Sequence, residues 1–247
     1  MSKAVVRRHV VAAALMAVGL AACGGNHGGG TTAVKGTGSQ RHEPSVGVLT
    51  QGQLEEAVVD AHDLPGIRVE KIGASSEGLG DGVIHARPRT NTHPTACAPV
   101  SAAVDGASGY APVGSLQRTI EMKDHSALLT LASYHSADAS RVIGELHAAL
   151  QTCADYQAGP MKATYEDVKV AIGLPQGRNS VAFRLTLIMD PSDDTLKVPV
   201  CVIVKRQGST VATYKTISDD THTPATIPTD LVNAQAKVLD AAVHSGQ

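Results

Sequence analysis

Four cysteines and eleven histidines carry the widest chemical range in this chain, and their spacing decides what they can do. Cys23 follows Leu20-Ala21-Ala22 directly after a short apolar run. Two small residues before a thiol suit a peptidase pocket, and cleavage there would leave the sulfur at the new N-terminus, open to acylation. Three thiols then remain. Cys201 sits mid-run in Val198-Pro199-Val200-Cys201-Val202-Ile203-Val204, which reads as a buried strand where a free cysteine behaves as a small hydrophobe. Cys97 and Cys153 each flank a predicted helix and are paired as a disulfide, the usage expected of an oxidising compartment. Closing a loop of that length contributes roughly 4 kcal/mol in the chain-entropy account.

The histidines are scattered from His9 to His244, and none forms an H-x-H, an H-E-x-x-H or an i, i+4 pair with another histidine. No metal and no cofactor are expected. His62 beside Asp63 and His125 beside Asp124 read as exposed turn residues. There is no G-x-S-x-G elbow and no S-x-x-K, so the familiar serine nucleophiles are missing. Cys201 is a poor nucleophile on paper, because apolar strand neighbours suppress the thiolate. Glu55-Glu56 and Asp219-Asp220 are sequence neighbours that do not converge on one point. No catalytic residue is therefore expected, and the chain reads as a non-enzyme. One positive signal remains. Residues 73–95 are rich in Gly, Pro and Thr and carry His85, Arg87 and Arg89 beside Pro88 and Pro94. This basic patch reads either as disordered or as a flap over an anionic ligand.

The elements around these residues set the context. Lys3, Arg7 and Arg8 form a basic start, and Val10 to Leu20 an apolar segment too short for a ~30 Å hydrocarbon core. With Leu20-Ala21-Ala22-Cys23 this matches the lipobox of bacterial lipoproteins: residues 1–22 are a signal peptide, and Cys23 carries diacylglycerol and a further acyl group such as palmitate. The expected location is the extracytoplasmic face of the cell membrane, with the membrane as a partner through the lipid alone. Loss of Lys3, Arg7 and Arg8 and no acid moves the formal net charge from −2 to −5. A mildly acidic chain with one phenylalanine, five tyrosines and no tryptophan lacks the basic stripe and stacking platforms of a nucleic-acid binder. Residues 23–45 are Gly-, Thr- and Ser-rich and form a flexible tether with a reach of about 25 Å. Residues 46–247 are one domain.

Within that domain, Thr50 and Gln53 make a capping-box pattern, and Leu54, Ala57, Val58 and Ala61 continue a helical stripe to Pro65-Gly66. Ile67 to Ile72 alternates as a strand. A short helix near Pro99 to Val104 precedes a hairpin, 114–122 and 126–134. A strong amphipathic helix over 137–152, capped by Ser136, ends at Cys153. Four strands follow, 163–171, 180–189, 196–205 and 210–217, then a helix from Thr229 to about Val243. This order predicts an α+β fold: a curved, mainly antiparallel sheet of about seven strands with helices packed on one face.

Several of these segments together resemble a known family. The Leu49-Thr50…Leu54 helix, Ala96-Cys97-Ala98-Pro99 ahead of a paired strand, and Leu146-His147-Ala148-Ala149-Leu150-Gln151-Thr152-Cys153 are similar to the extracellular sensor-like domain of mycobacterial receptor Ser/Thr kinases of the PknH type and of stand-alone actinobacterial lipoproteins. The strand block of Val181 to Ile217 and the closing helix with Gln235-Ala236-Lys237 extend the resemblance over nearly all of 46–244. It implies the Cys97–Cys153 bridge and a cleft for an extracytoplasmic ligand or envelope protein. The family's second disulfide and its kinase domain have no counterpart here. The expected function is a lipid-anchored, non-enzymatic sensor-like or ligand-binding domain. Its alternatives are a carrier or chaperone for lipids or envelope polymers, or a hydrolase whose site follows no familiar motif.

Overall fold

The computed structural model describes residues 47–72, 86, 91–160, 162–189, 196–218 and 220–245. Cys23, the tether, His85, Arg87 and Arg89 lie outside the described residues. The elements run α1 (Gln51–Glu56), β1 (Arg68–Lys71), β2 (Thr92–His93), a 3-10 turn (Thr95–Cys97), α2 (Ala98–Val104), β3 (Gly114–Glu121), β4 (Ser126–Ser133), α3 (Ser136–Ala149), β5 (Tyr156–Ala158), β6 (Ala163–Val170), β7 (Ser180–Met189), β8 (Leu196–Gln207), β9 (Thr210–Ile217) and α4 (Thr229–Ser245).

Among the described residues, all strands join one sheet of nine, in the order β1-β3-β4-β9-β8-β7-β6-β5-β2, every neighbour antiparallel. The expected count of seven is too low. The two additions, β2 and β5, have two and three residues, too few for alternation to mark them in a sequence. The helix expected to continue to Pro65-Gly66 also stops early, at Glu56, although its capping box forms as read. At α3 the cap position falls on His135, which makes no side-chain capping bond, and Ser136 is the first helical residue.

Helices cover both faces of the sheet, not one. On the first face α1 and α4 place Leu54, Leu231, Val232 and Leu239 over Ile120, Leu129, Ile203 and Tyr214. On the second, α2 and α3 place Val100, Val104, Ile143 and Leu146 over Phe183, Val202, Val204 and Val211. The physical reason lies in β8, where Val200, Val202 and Val204 point one way and Cys201 and Ile203 the other, all at most 2 % exposed. A strand apolar on both sides must be covered on both sides.

Two polar contacts lock α1 and its exit to the rest. Arg118, whose side chain is only 9 % exposed, pairs with Glu55, and Lys71 stands 3.8 Å from the same carboxylate. The hydrogen bond from Arg118 is the main reason the Glu55 carboxyl lies below the usual range. Gln235 on α4 is fully buried; its Nε2 donates to Ala57 O at 2.6 Å and its Oε1 accepts from Val59 N at 2.9 Å. That side chain satisfies the backbone where α1 ends, which is why the chain can turn away there without water.

Gln235→Leu should destabilise the domain by about 2–4 kcal/mol, because two buried backbone groups lose their partners at once. Urea unfolding checks this; a loss below about 0.5 kcal/mol would mean water replaces the amide.

Candidate functional site

Among the described residues, two places have room for another molecule. The first is a partly enclosed cavity of about 30 Å³ on the second face, among α2, α3 and residues 106–110. Ser101, Ser108, Tyr110, Tyr134, Glu145 and Thr213 are among its lining side chains. Ser108 Oγ donates to Tyr134 Oη at 3.1 Å, and Tyr110 Oη donates to Glu145 Oε1 at 2.5 Å. Burial pushes the Tyr134 hydroxyl above its usual pKa, so it stays protonated. Gly106 lets the loop close over this region: it has φ +70°, and a Cβ there would fall 2.3 Å from Thr130 Oγ1. A cavity of this size holds a water or two, and is far too small for a lipid chain.

The second place is an open polar groove on the first face, at the β2–β5–β6 end of the sheet that α1 and α4 do not cover. It consists of two adjoining hollows of about 510 and 350 Å³ that share His93 and Gln157. Register explains the composition. His93 pairs with Gln157, Gln157 with Thr164 and Thr164 with Ile188, so these side chains share one face. The adjacent pair on the other face, Tyr156 and Tyr165, stacks at 4.7 Å beneath them. Tyr156 is 3 % exposed, its hydroxyl has no hydrogen-bond partner among the described residues, and burial drives its pKa far above the usual value.

A kink in β6 completes one end of the groove. The register slips between Glu166 and Lys169, with Asp167 at φ +56°, and Asp167 N donates to Asp155 Oδ1 at 3.0 Å. Such a bulge re-aims side chains out of the pleat. Asp155, Glu166 and Asp167 therefore gather at this end. Glu166 meets Lys197 at 3.3 Å and Asp167 meets Lys169 at 2.8 Å; the hydrogen bond from Lys169 holds the Asp167 carboxyl below the usual range. The other end carries Lys162, exposed and at φ +51° in the β5–β6 turn.

The disulfide holds the groove's floor. Cys97 and Cys153 are joined with Cα atoms 5.2 Å apart. Cys97 closes the turn that follows β2, and Cys153 lies three residues before β5. Strands of two and three residues pair too weakly to persist alone. The bridge ties both to the ends of helices packed in the second-face core.

Among the expected residues, Cys97 and Cys153 thus flank the groove, whereas Cys23, His85, Arg87 and Arg89 lie outside the described residues. Cys201 is fully buried in β8, and burial pushes its thiol up to about 11. The sequence marks His93 only as one of the scattered histidines. It gives Asp155, Gln157, Thr164, Asp167 and Lys162 no distinguishing motif. The Gly159-Pro160 pair ahead of β6 was the available sign of a hairpin there. Among the described residues, no three of His, Cys, Asp and Glu stand together as a metal-binding set.

No protein-family model matches the sequence, and no curated protein matches it either. Among solved structures, the extracellular domain of PknH from Mycobacterium tuberculosis is similar, with a TM-score of 0.47 and 9 % identity, over 79 % of this chain and 97 % of that one.

In a Cys97→Ala/Cys153→Ala variant, amide exchange at 92–93 and 156–158 should accelerate at least a hundredfold while β8 and β9 stay protected. Equal acceleration throughout the sheet would show that the bridge supports the whole domain and not the groove in particular.

Proposed function

We propose that this protein is a lipid-anchored, extracytoplasmic binding module without a catalytic centre, and that the groove at the β2–β5–β6 end is its binding site. The observation that carries the reading is a wide, solvent-open hollow, rich in hydrogen-bonding groups, whose two smallest strands are clamped by a disulfide. A hollow of several hundred Å³ with convergent polar groups matches the size of ligand sites in general. The clamp matters because pre-ordered groups lose less entropy on binding. A disulfide also fits an oxidising location outside the cytoplasm.

Anchoring at Cys23 suits this placement. The described chain begins at Gly47, where a Cβ would stand 3.6 Å from Val243 Cγ1 and 4.0 Å from Ser209 Oγ in the β8–β9 turn. Lys197, which contacts Glu166 in the groove, lies at the opposite end of β8, ten residues from Gln207 and about 33 Å away at ~3.3 Å per residue. The groove thus sits far from the point where the tether joins the domain.

Two experiments test the reading. Cys23→Ala should abolish acylation and release the protein from detergent-extracted membranes while leaving its melting temperature unchanged; acyl chains persisting on the variant would contradict the anchor. Protein purified from its own envelope should retain a ligand in native mass spectrometry. Gln157→Arg, at an exposed position on the groove floor, should remove that ligand with a melting temperature within about 3 °C of wild type. A ligand retained equally by the variant would place the site elsewhere. A turnover activity abolished by a single substitution would end the non-enzyme reading.

A further inference from the structure

The groove is electrically polarised, and that polarity bears on what fits it. At one end stand the carboxylates of Asp155, Glu166 and Asp167. At the other stands the ammonium of Lys162, which has no hydrogen bond or ion pair among the described residues. His93 and Gln157, common to both hollows, occupy the middle with neutral hydrogen-bonding groups. Glu166 stands three strand positions beyond Ala163, about 10 Å at ~3.3 Å per residue, and the turn residue Lys162 before it brings the separation of the two ends to roughly 10–13 Å. Each end has a reason to be fixed. The bulge at Asp167 and the bond from its N–H to Asp155 set the acidic end. The left-handed backbone of Lys162 in the β5–β6 turn sets the basic end.

We propose that the groove takes a short, extended peptide with free termini, about four residues long, its N-terminal ammonium at the Asp155/Glu166/Asp167 end and its C-terminal carboxylate at Lys162. This deepens the binding-module reading and rests on it. Charge complementarity at both ends and length together argue for this occupant. Four extended residues span roughly 13–14 Å, close to the separation of the two charged ends. A polycation would meet Lys162, and two of the three carboxylates it needs already pair with Lys169 and Lys197. A polyanion would meet three carboxylates. A zwitterion of the right length meets an opposite charge at each end. His93 and Gln157 in between can pair with backbone amides, which gives affinity without demanding particular side chains.

The test uses the full-length acylated protein in detergent and the peptide Ala-Ala-Ala-Ala. Calorimetric titration should show saturable binding to wild type. Blocking either terminus, by N-acetylation or C-amidation, should weaken binding at least tenfold. Lys162→Asn removes the charge with a side chain that tolerates the left-handed backbone. It should weaken the free peptide by a similar factor and leave the amidated one unchanged, because the lost partner is the same. The proposal fails if no peptide of three to five alanines binds, if blocked peptides bind as well as the free one, or if Lys162→Asn weakens free and amidated peptides equally. Failure of this proposal is separable from failure of the binding site. An envelope ligand that Gln157→Arg displaces and that proves not to be a peptide overturns the peptide assignment and keeps the groove. A ligand unaffected by Gln157→Arg overturns both.

Discussion

Burial of both faces of β8 is the constraint on which the remaining architecture depends. Val200 to Val204 are at most 2 % exposed, three side chains toward one core and two toward the other. An antiparallel sheet with one wet face cannot accommodate such a strand, since each of these side chains forfeits on the order of 1.5–3 kcal/mol if left in water. So α1 and α4 close one side and α2 and α3 the other. The sheet is nine strands wide, however, and the helices are few. On the first face α1 packs on β3 and α4 on β8, and this cover gives out toward the β2 edge, which α2 still reaches on the second face. The groove is the place on the first face where the sheet extends past its helices.

That layout explains which features were readable in the sequence. Long strands with unbroken β-branched runs and the amphipathic stripe of α3 were recognisable because their periodicity repeats over eight or more residues. The Thr50–Gln53 capping box was recognisable because its chemistry is local. The two-sided cover was also written in Val198–Val204, as an apolar run without alternation, but an antiparallel order had suggested helices on one side only. Position 56 could not be read as a helix end, since the residue that receives the chain there, Gln235, is nearly 180 residues away.

The site was the least legible part. Its side chains are ordinary polar residues that become a group only through strand register, and two of the three strands that carry them are too short to announce themselves. His93 and Gln157 are 64 positions apart in sequence and directly opposed in the sheet. The basic cluster of His85, Arg87 and Arg89 drew notice because its charges are adjacent in sequence. Cys97 and Cys153 were the one long-range element legible in advance, and they prove to bracket the strands of the groove. Their contribution is therefore local as well as global: besides restricting the unfolded chain, the bridge holds the shortest strands in register.

Binding on the first face of the β2–β5–β6 end is tested most directly by amide chemical-shift mapping of the isotopically labelled domain as it takes up the ligand that accompanies it from the envelope. Shifts should concentrate at His93, Gln157, Thr164, Glu166 and the neighbouring amides of the β6 bulge. Shifts confined instead to the loop at Ser108–Tyr110 and the facing turn of α3 at Glu145 would contradict it, and would move the functional site to the partly enclosed cavity on the opposite face.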